Sequence, residues 1–111
     1  MERLSKENLA PHYEKWEAVK DHIEKLYDAK DKEAISLMEI AINDYTKLLE
    51  YGGKEINERS GKSKYILLPL NGDERFNFIK DRINSHYAHI QLDALYEETK
   101  KKAARLAVMK K

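Results

Sequence analysis

The last third of the chain contains neither proline nor glycine and repeats apolar residues at helical spacing. Apolar residues recur every three or four positions, which is the pattern of a helix with one buried face; they are Phe76, Ile79, Ile83, Tyr87, Ile90 and Ala94. At 1.5 Å per residue, a helix over residues 73–109 is roughly 55 Å long. The pattern therefore predicts one long C-terminal helix, which needs either the other helices or a second copy of the chain to cover it.

Composition limits the class of protein. A chain of 111 residues without cysteine is expected to form one domain, and it can have no disulfide, thiol nucleophile or cysteine-based metal site. It contains no apolar run of the ~18 residues that a membrane span needs, and its first residues lack an apolar signal region, so we expect a cytoplasmic protein with no membrane partner. Charged residues make up 37% of the chain and Gln91 is its only glutamine, a composition typical of thermophiles.

Two shorter helices are predicted before the long one. Helix 1 spans about residues 9–29, with Asn8 as its cap and Pro11 in its first turn, where a missing N–H does no harm. Its apolar seam consists of Leu9, His12, Trp16, Val19, Ile23 and Leu26. Helix 2 spans about residues 32–51, with Asp31 as its cap. Because it carries two adjacent apolar seams, we expect it to be central; they consist of Ala34, Met38, Ala41, Tyr45 and Leu48, and of Ile35, Ile42 and Leu49.

The segment between helix 2 and the last helix is predicted to be an extended arm over residues 60–72. Gly52-Gly53 ends helix 2, and Lys64–Leu70 is rich in Ile, Leu and Tyr, as strands are. This segment either packs over the helices or pairs with the same segment of a second subunit. Pro69 disfavours central sheet pairing, which favours the packed arm. Asn71 is expected to cap the last helix, with Glu74 completing a capping box.

These elements predict an all-α fold: a three-helix bundle with a long C-terminal helix and an extended arm between helices 2 and 3, in a single domain over residues 1–111. We expect a homodimer, because a monomer leaves apolar helical surface uncovered. A second apolar line on the last helix is the candidate interface; it consists of Leu92, Leu95, Ala103 and Leu106.

Positive charge is concentrated at the end of the chain. The last twelve residues contain six basic residues and no acidic one, although the whole chain carries only +1; the six are Lys100, Lys101, Lys102, Arg105, Lys110 and Lys111. Cations at a helix C-terminus suit the helix dipole. The alternative is a basic tail that contacts the phosphates of RNA or DNA and that can be removed without loss of the fold.

Arg82, His86 and His89 are spaced at i, i+4 and i+7, so one continuous helix would present all three on one face. Arginine can hold a phosphate with two hydrogen bonds, and histidine can move a proton near neutral pH. The pattern resembles the Arg-x(4–6)-His signature of HEPN-type helical ribonucleases, which implies metal-independent RNA cleavage at a dimer interface. Arg82 to His89 fits the longest spacing, Arg82 to His86 is one residue short, and Ile83 stands where that family often has a polar residue.

A second resemblance covers more of the chain. The order of helix 1, helix 2 ending in LLEYGGKEI, a loop, and then LNGDERFNFIKDRI is similar to the helical domain of archaeal GINS replication subunits. That resemblance implies a scaffold that pairs helices between subunits. Gly52 and Gly53 stand where that family tends to carry basic residues, and its small β domain is missing.

Two other patterns are weaker evidence for a function. Ser60-Gly61-Lys62-Ser63 looks like the end of a nucleotide-binding loop, but Ile56 stands where a glycine is needed. His89, Asp93 and Glu97 follow at four-residue steps, yet we expect neither a functional metal nor a cofactor.

The leading hypothesis is a non-enzymatic helical interaction or scaffold module that contacts nucleic acid or a protein partner. The alternatives are a ribonuclease that uses Arg82, His86 and His89, and a GINS-like scaffold subunit.

Overall fold

The computed structural model describes residues 5–109, and this part of the chain forms a helical bundle with one small β-hairpin. The all-α class is confirmed. In chain order the elements are α1 (Lys6–Asp28), α2 (Glu33–Gly52), β1 (Lys54–Ile56), β2 (Ser63–Tyr65), α3 (Gly72–Asp81) and α4 (His86–Met109). None of the helices in residues 5–109 is both long and apolar enough to cross a membrane.

The first two helices form close to where the periodicity predicts them. Ser5, rather than Asn8, caps α1: its Oγ accepts a hydrogen bond from the Asn8 amide at 3.2 Å. Pro11 therefore lies inside the helix and not in its first turn. Asp31 acts at the start of α2 as expected, because its Oδ1 accepts from the Glu33 amide at 2.9 Å. α2 is central, and the members of its two seams are buried except Ile35, which is half-buried.

The prediction of one long C-terminal helix is wrong, because residues 82–85 interrupt it. Ser85 lies just before α4, and its Oγ accepts a hydrogen bond from the Tyr87 amide at 3.2 Å, as a residue at a helix N-terminus does. The Tyr27 hydroxyl, from α1, donates to the Ile83 carbonyl at 2.6 Å and holds the connection. α3 and α4 run antiparallel, since α3 residue Arg75 contacts Glu98 on α4 while Phe78 contacts Tyr87.

Because of this reversal, the buried face of α4 is not the one that the sequence predicted. Tyr87 and Ile90 are 58% and 51% exposed, whereas Leu92, Leu95 and Ala103 are at most 1% exposed. Leu106 is partly buried and packs against the same core. The line expected to face a second subunit is therefore covered by the chain's own helices, because α4 folds back onto α1 and α3. The homodimer itself stays a prediction.

The arm between α2 and α3 is partly a hairpin. β2 pairs antiparallel with β1 of the same chain, with Glu55 opposite Lys64, so this strand does not need a second subunit. The packed arm that was expected is the segment Leu67–Pro69, which is buried. Asn71 precedes α3 in a left-handed conformation (φ 58°) and makes no side-chain hydrogen bond to it, so the predicted capping box is wrong.

A buried hydrogen-bond chain joins α2, the arm and α4. The Thr99 hydroxyl donates to the Leu67 carbonyl at 3.1 Å, so it accepts from the Tyr45 hydroxyl at 2.7 Å. Tyr45 and Thr99 are both 0% exposed. Burial raises the pKa of Tyr45 well above its usual range, so the phenol keeps the proton that it donates.

Thr99→Val should destabilise the protein more than Tyr45→Phe. The valine leaves both the Leu67 carbonyl and the Tyr45 hydroxyl without a partner, at about 2–4 kcal/mol, whereas the phenylalanine removes one bond at about 0.5–1.5 kcal/mol. Urea unfolding measures both. Thr46→Val is the matched control, because the Thr46 hydroxyl bonds only within its own helix and its loss should cost little. A Tyr45→Phe variant as unstable as Thr99→Val would contradict this ordering.

Candidate functional site

Arg82, His86 and His89 do not share one helical face. Arg82 follows the last residue of α3, whereas His86 and His89 belong to the first turn of α4, so the expectation built on a continuous helix is wrong. The Arg82 guanidinium lies 5.9 Å from the centre of the exposed Phe78 ring. The interruption at residues 82–85 is what separates the arginine from the two histidines.

His89 is occupied by contacts within the fold. It is 6% exposed, and its Nε2 lies 2.8 Å from the Lys20 carbonyl, to which it donates. Its ring lies 5.3 Å from that of Trp16, between ring centroids. These contacts join α4 to α1, so His89 stabilises the packing of the two helices.

His86 is half-buried beside the contacts that His89 makes between α1 and α4. Its Nε2 lies 3.8 Å from a Glu24 carboxylate oxygen, which is beyond hydrogen-bond distance, and its ring is 5.6 Å from that of His89. Burial raises the pKa of the neighbouring Tyr27 to about 12, so that phenol is protonated at neutral pH. Together these groups form a packed edge between α1 and α4.

Two of the three possible metal ligands, His89 and Asp93, have other partners. The Asp93 carboxylate accepts from the Trp16 indole N–H at 2.8 Å and lies 3.6 Å from the Lys20 ammonium. Glu97, on the same helix, is exposed. Within residues 5–109, no group of three or more His, Asp or Glu side chains is arranged to hold a metal ion.

A concave surface of a different kind lies between the end of β2, the start of α3 and the C-terminal half of α4. We call it the basic cleft, because four cations line it: Lys64, Lys101, Lys102 and Arg105. Its volume is about 630 Å³. Three of these cations are at i, i+1 and i+4 on α4, so one face of this helix presents them together.

The six basic residues predicted to form a tail are divided by the structure. Lys101, Lys102 and Arg105 line the basic cleft, whereas Lys100 lies elsewhere, with its ammonium 5.8 Å from the centre of the Tyr13 ring. Lys110 and Lys111 lie outside the described residues. Because Ala103 and Leu106 pack in the core, removing residues 100–111 would also remove part of the core, and this basic segment is not a separable tail.

Lys64 is the one cation of the basic cleft that the sequence did not predict. It follows Ser60-Gly61-Lys62-Ser63 directly. The resemblance of that segment to a phosphate loop was the only local indication that residues near Lys64 could contact phosphate. What places it in the cleft is the hairpin, in which Gly61 adopts a φ of 71° and lets the chain return from β1 to β2. No pattern in the sequence connects it to α4.

Electrostatics on the α4 side of the cleft favour an anion, whereas Asp73 and Glu74 line its α3 side. The Lys102 ammonium donates to the Leu68 carbonyl at 2.9 Å; burial, and then its neighbours Lys64 and Arg105, lower the pKa of Lys102. The cleft also contains Glu98, which Arg75 binds through both guanidinium nitrogens, lowering the pKa of that carboxyl. Since Arg75 balances Glu98, the α4 side of the cleft has uncompensated positive charge.

His89→Ala should destabilise the fold, whereas His86→Ala should not. The first change removes a buried ring packed on Trp16, which we expect to cost about 2–4 kcal/mol. The second truncates a half-exposed side chain and should cost less than about 1 kcal/mol. Thermal unfolding monitored by circular dichroism compares the two, with exposed His22→Ala as the control. Equal, small losses for His86 and His89 would mean that His89 does not have this structural role.

Comparison with models of protein families gives a match over nearly the whole chain. A family model described as YpoC-like protein matches residues 6–111, which is nearly the whole chain. No curated protein and no solved structure matches it. The match includes all the helices, the hairpin and the four cations of the basic cleft. The chain belongs to the family of YpoC-like proteins.

Proposed function

We propose that this protein is a non-enzymatic helical module that binds the phosphate backbone of nucleic acid in its basic cleft. The observation behind this is the convergence of Lys64 with Lys101, Lys102 and Arg105 on one concave surface, although Lys64 comes from a distant part of the sequence. Cations that converge from two elements hold a phosphate chain in a defined place.

The free energy of binding would come mainly from charge. A cationic side chain that neutralises a phosphate releases condensed counterions, which makes the affinity strongly dependent on salt. Arg105 can bind a phosphate with two parallel hydrogen bonds, and the lysines act as point charges. The lowered pKa of Lys102 reflects burial next to other cations, and an anion in the cleft would relieve that repulsion.

The geometry favours binding over cleavage. The ribonuclease hypothesis needs Arg82, His86 and His89 around one scissile phosphate, whereas the ring of His89 is buried and donates to a backbone carbonyl. A substrate would have to displace packing between α1 and α4 to reach it. The binding hypothesis requires no rearrangement, because the cations already line an open cleft.

Binding should depend on salt and on the cations of the cleft. The purified chain is titrated into labelled single-stranded RNA at several salt concentrations, with a chelator, and read by fluorescence anisotropy. Lys101→Gln/Arg105→Gln should weaken binding and reduce the slope of log affinity against log salt by about 1.4, or 0.7 for each lost phosphate contact. Lys30→Gln/Lys32→Gln is the matched control, since it removes two exposed charges in the α1–α2 connection and should change little.

Two outcomes would count against the proposal. An equal loss of affinity in both double variants would mean that the binding is due to overall charge and not to the cleft. Chelator-resistant cutting of the RNA that disappears in His86→Ala would instead support the ribonuclease hypothesis. Gel analysis of the same samples detects this cutting.

A further inference from the structure

The basic cleft contains apolar as well as cationic side chains. Its cations come from α4 and β2, while Leu68, Pro69 and Leu70 come from the segment that connects β2 to α3. Leu68 is 8% exposed and Pro69 is buried, but Leu70 is 84% exposed. Of these three apolar residues Leu70 alone is exposed, so a ligand that covers it has an apolar part next to its anionic part.

Leu70 is held in this exposed position by its neighbours. Pro69 before it is buried, and Asn71 after it has a φ of 58°. Leu68 packs where Gly72 offers no side chain, since a Cβ at Gly72 would overlap the Leu68 side chain. The backbone on both sides is thus constrained, and the Leu70 side chain is presented at the cleft rather than folded into the core.

Carboxylates occupy the α3 edge of the same cleft. Asp73 and Glu74, in the first turn of α3, are exposed, and they repel phosphate from that edge. The phosphates are therefore directed toward Lys101 and Arg105 on α4. Carboxylate oxygens can accept hydrogen bonds from the amino groups of bases, so the edge that repels phosphate can still contact a base.

Single-stranded and duplex nucleic acid differ in whether a base can reach Leu70 in the cleft. Its volume of about 630 Å³ lies in the ordinary range of sites for small molecules, roughly 300–1,000 Å³. A duplex is a rod that presents phosphates outside and stacks its bases inside, so it cannot place a base against Leu70. A single strand has unstacked bases with apolar faces and an adjacent phosphate, the combination that single-strand-binding grooves use.

We propose that the basic cleft selects single-stranded nucleic acid, holding a phosphate on Lys101 and Arg105 while the adjacent base packs on Leu70. This inference rests on the proposed function and makes it specific. The cations contribute the part of the binding free energy that depends on salt, and Leu70 contributes a part that salt does not screen. The two contributions can be separated, because they come from different side chains.

The test compares one sequence as a single strand and as a blunt duplex, using the full chain over the same series of salt concentrations. The single strand should bind at least about fivefold more tightly, because only an unstacked base can cover the apolar surface of Leu70. Leu70→Ser should weaken single-strand binding by about fivefold, leaving duplex binding and the salt slope unchanged. Because Leu70 is exposed, the substitution does not threaten the fold. Ile40→Ser is the matched control, since Ile40 is 58% exposed on α2.

The outcomes distinguish this inference from the function on which it rests. If neither form binds, the proposed function fails and the inference with it. If the duplex binds as tightly as the single strand, and both lose affinity in Lys101→Gln/Arg105→Gln, the inference is overturned while the proposed function stands. Single-strand binding that is equal in Leu70→Ser and in the unaltered chain also overturns the inference.

Discussion

The reversal of the chain at residues 82–85 determines where every later side chain lies. Ser85 starts α4 by accepting from the Tyr87 amide, and the Tyr27 hydroxyl holds the Ile83 carbonyl from α1. The two halves of what could be one helix consequently lie antiparallel. This covers the apolar face of α4 within one chain and brings the start of α3 beside the cations of α4. Without the reversal, Lys101 and Arg105 would lie on an open helix end and not in a cleft.

The same core contacts that stabilise the bundle also place one side of the cleft. Leu67 is buried, and its carbonyl accepts from Thr99, which in turn accepts from Tyr45. Three residues later, Leu70 is exposed at the cleft. The short segment between them thus passes from the centre of the bundle to the candidate site. Its position is precise because buried polar groups without partners are costly, which leaves few alternative arrangements.

The basic cleft is also a place where the fold tolerates an unfavourable arrangement. Four cations share one surface, and burial together with two of these neighbours lowers the pKa of Lys102. A hydrogen bond from Lys102 to the Leu68 carbonyl offsets part of this cost. Like charges gathered in a concave region raise the local concentration of anions around it. This repulsion has no stabilising role in the fold, which is why the cleft is a better candidate site than His89, whose contacts stabilise the fold.

Periodicity in the sequence was sufficient to predict the helical class, the central position of α2 and the approximate limits of α1 and α2, because helical spacing is a local property. It also identified Lys101, Lys102 and Arg105 as a basic cluster on one helix. It could not reveal the interruption before α4, since Asn84-Ser85 is only a weak break and the apolar repeat continues through it. Periodicity also could not show that His89 has a structural role, or that Lys64 lies beside the cations of α4. The sequence by itself determined the helical class, the approximate limits of α1 and α2, and where apolar and basic residues recur at helical spacing. The tertiary structure alone decided which helical faces meet, because that depends on contacts between residues far apart in the chain.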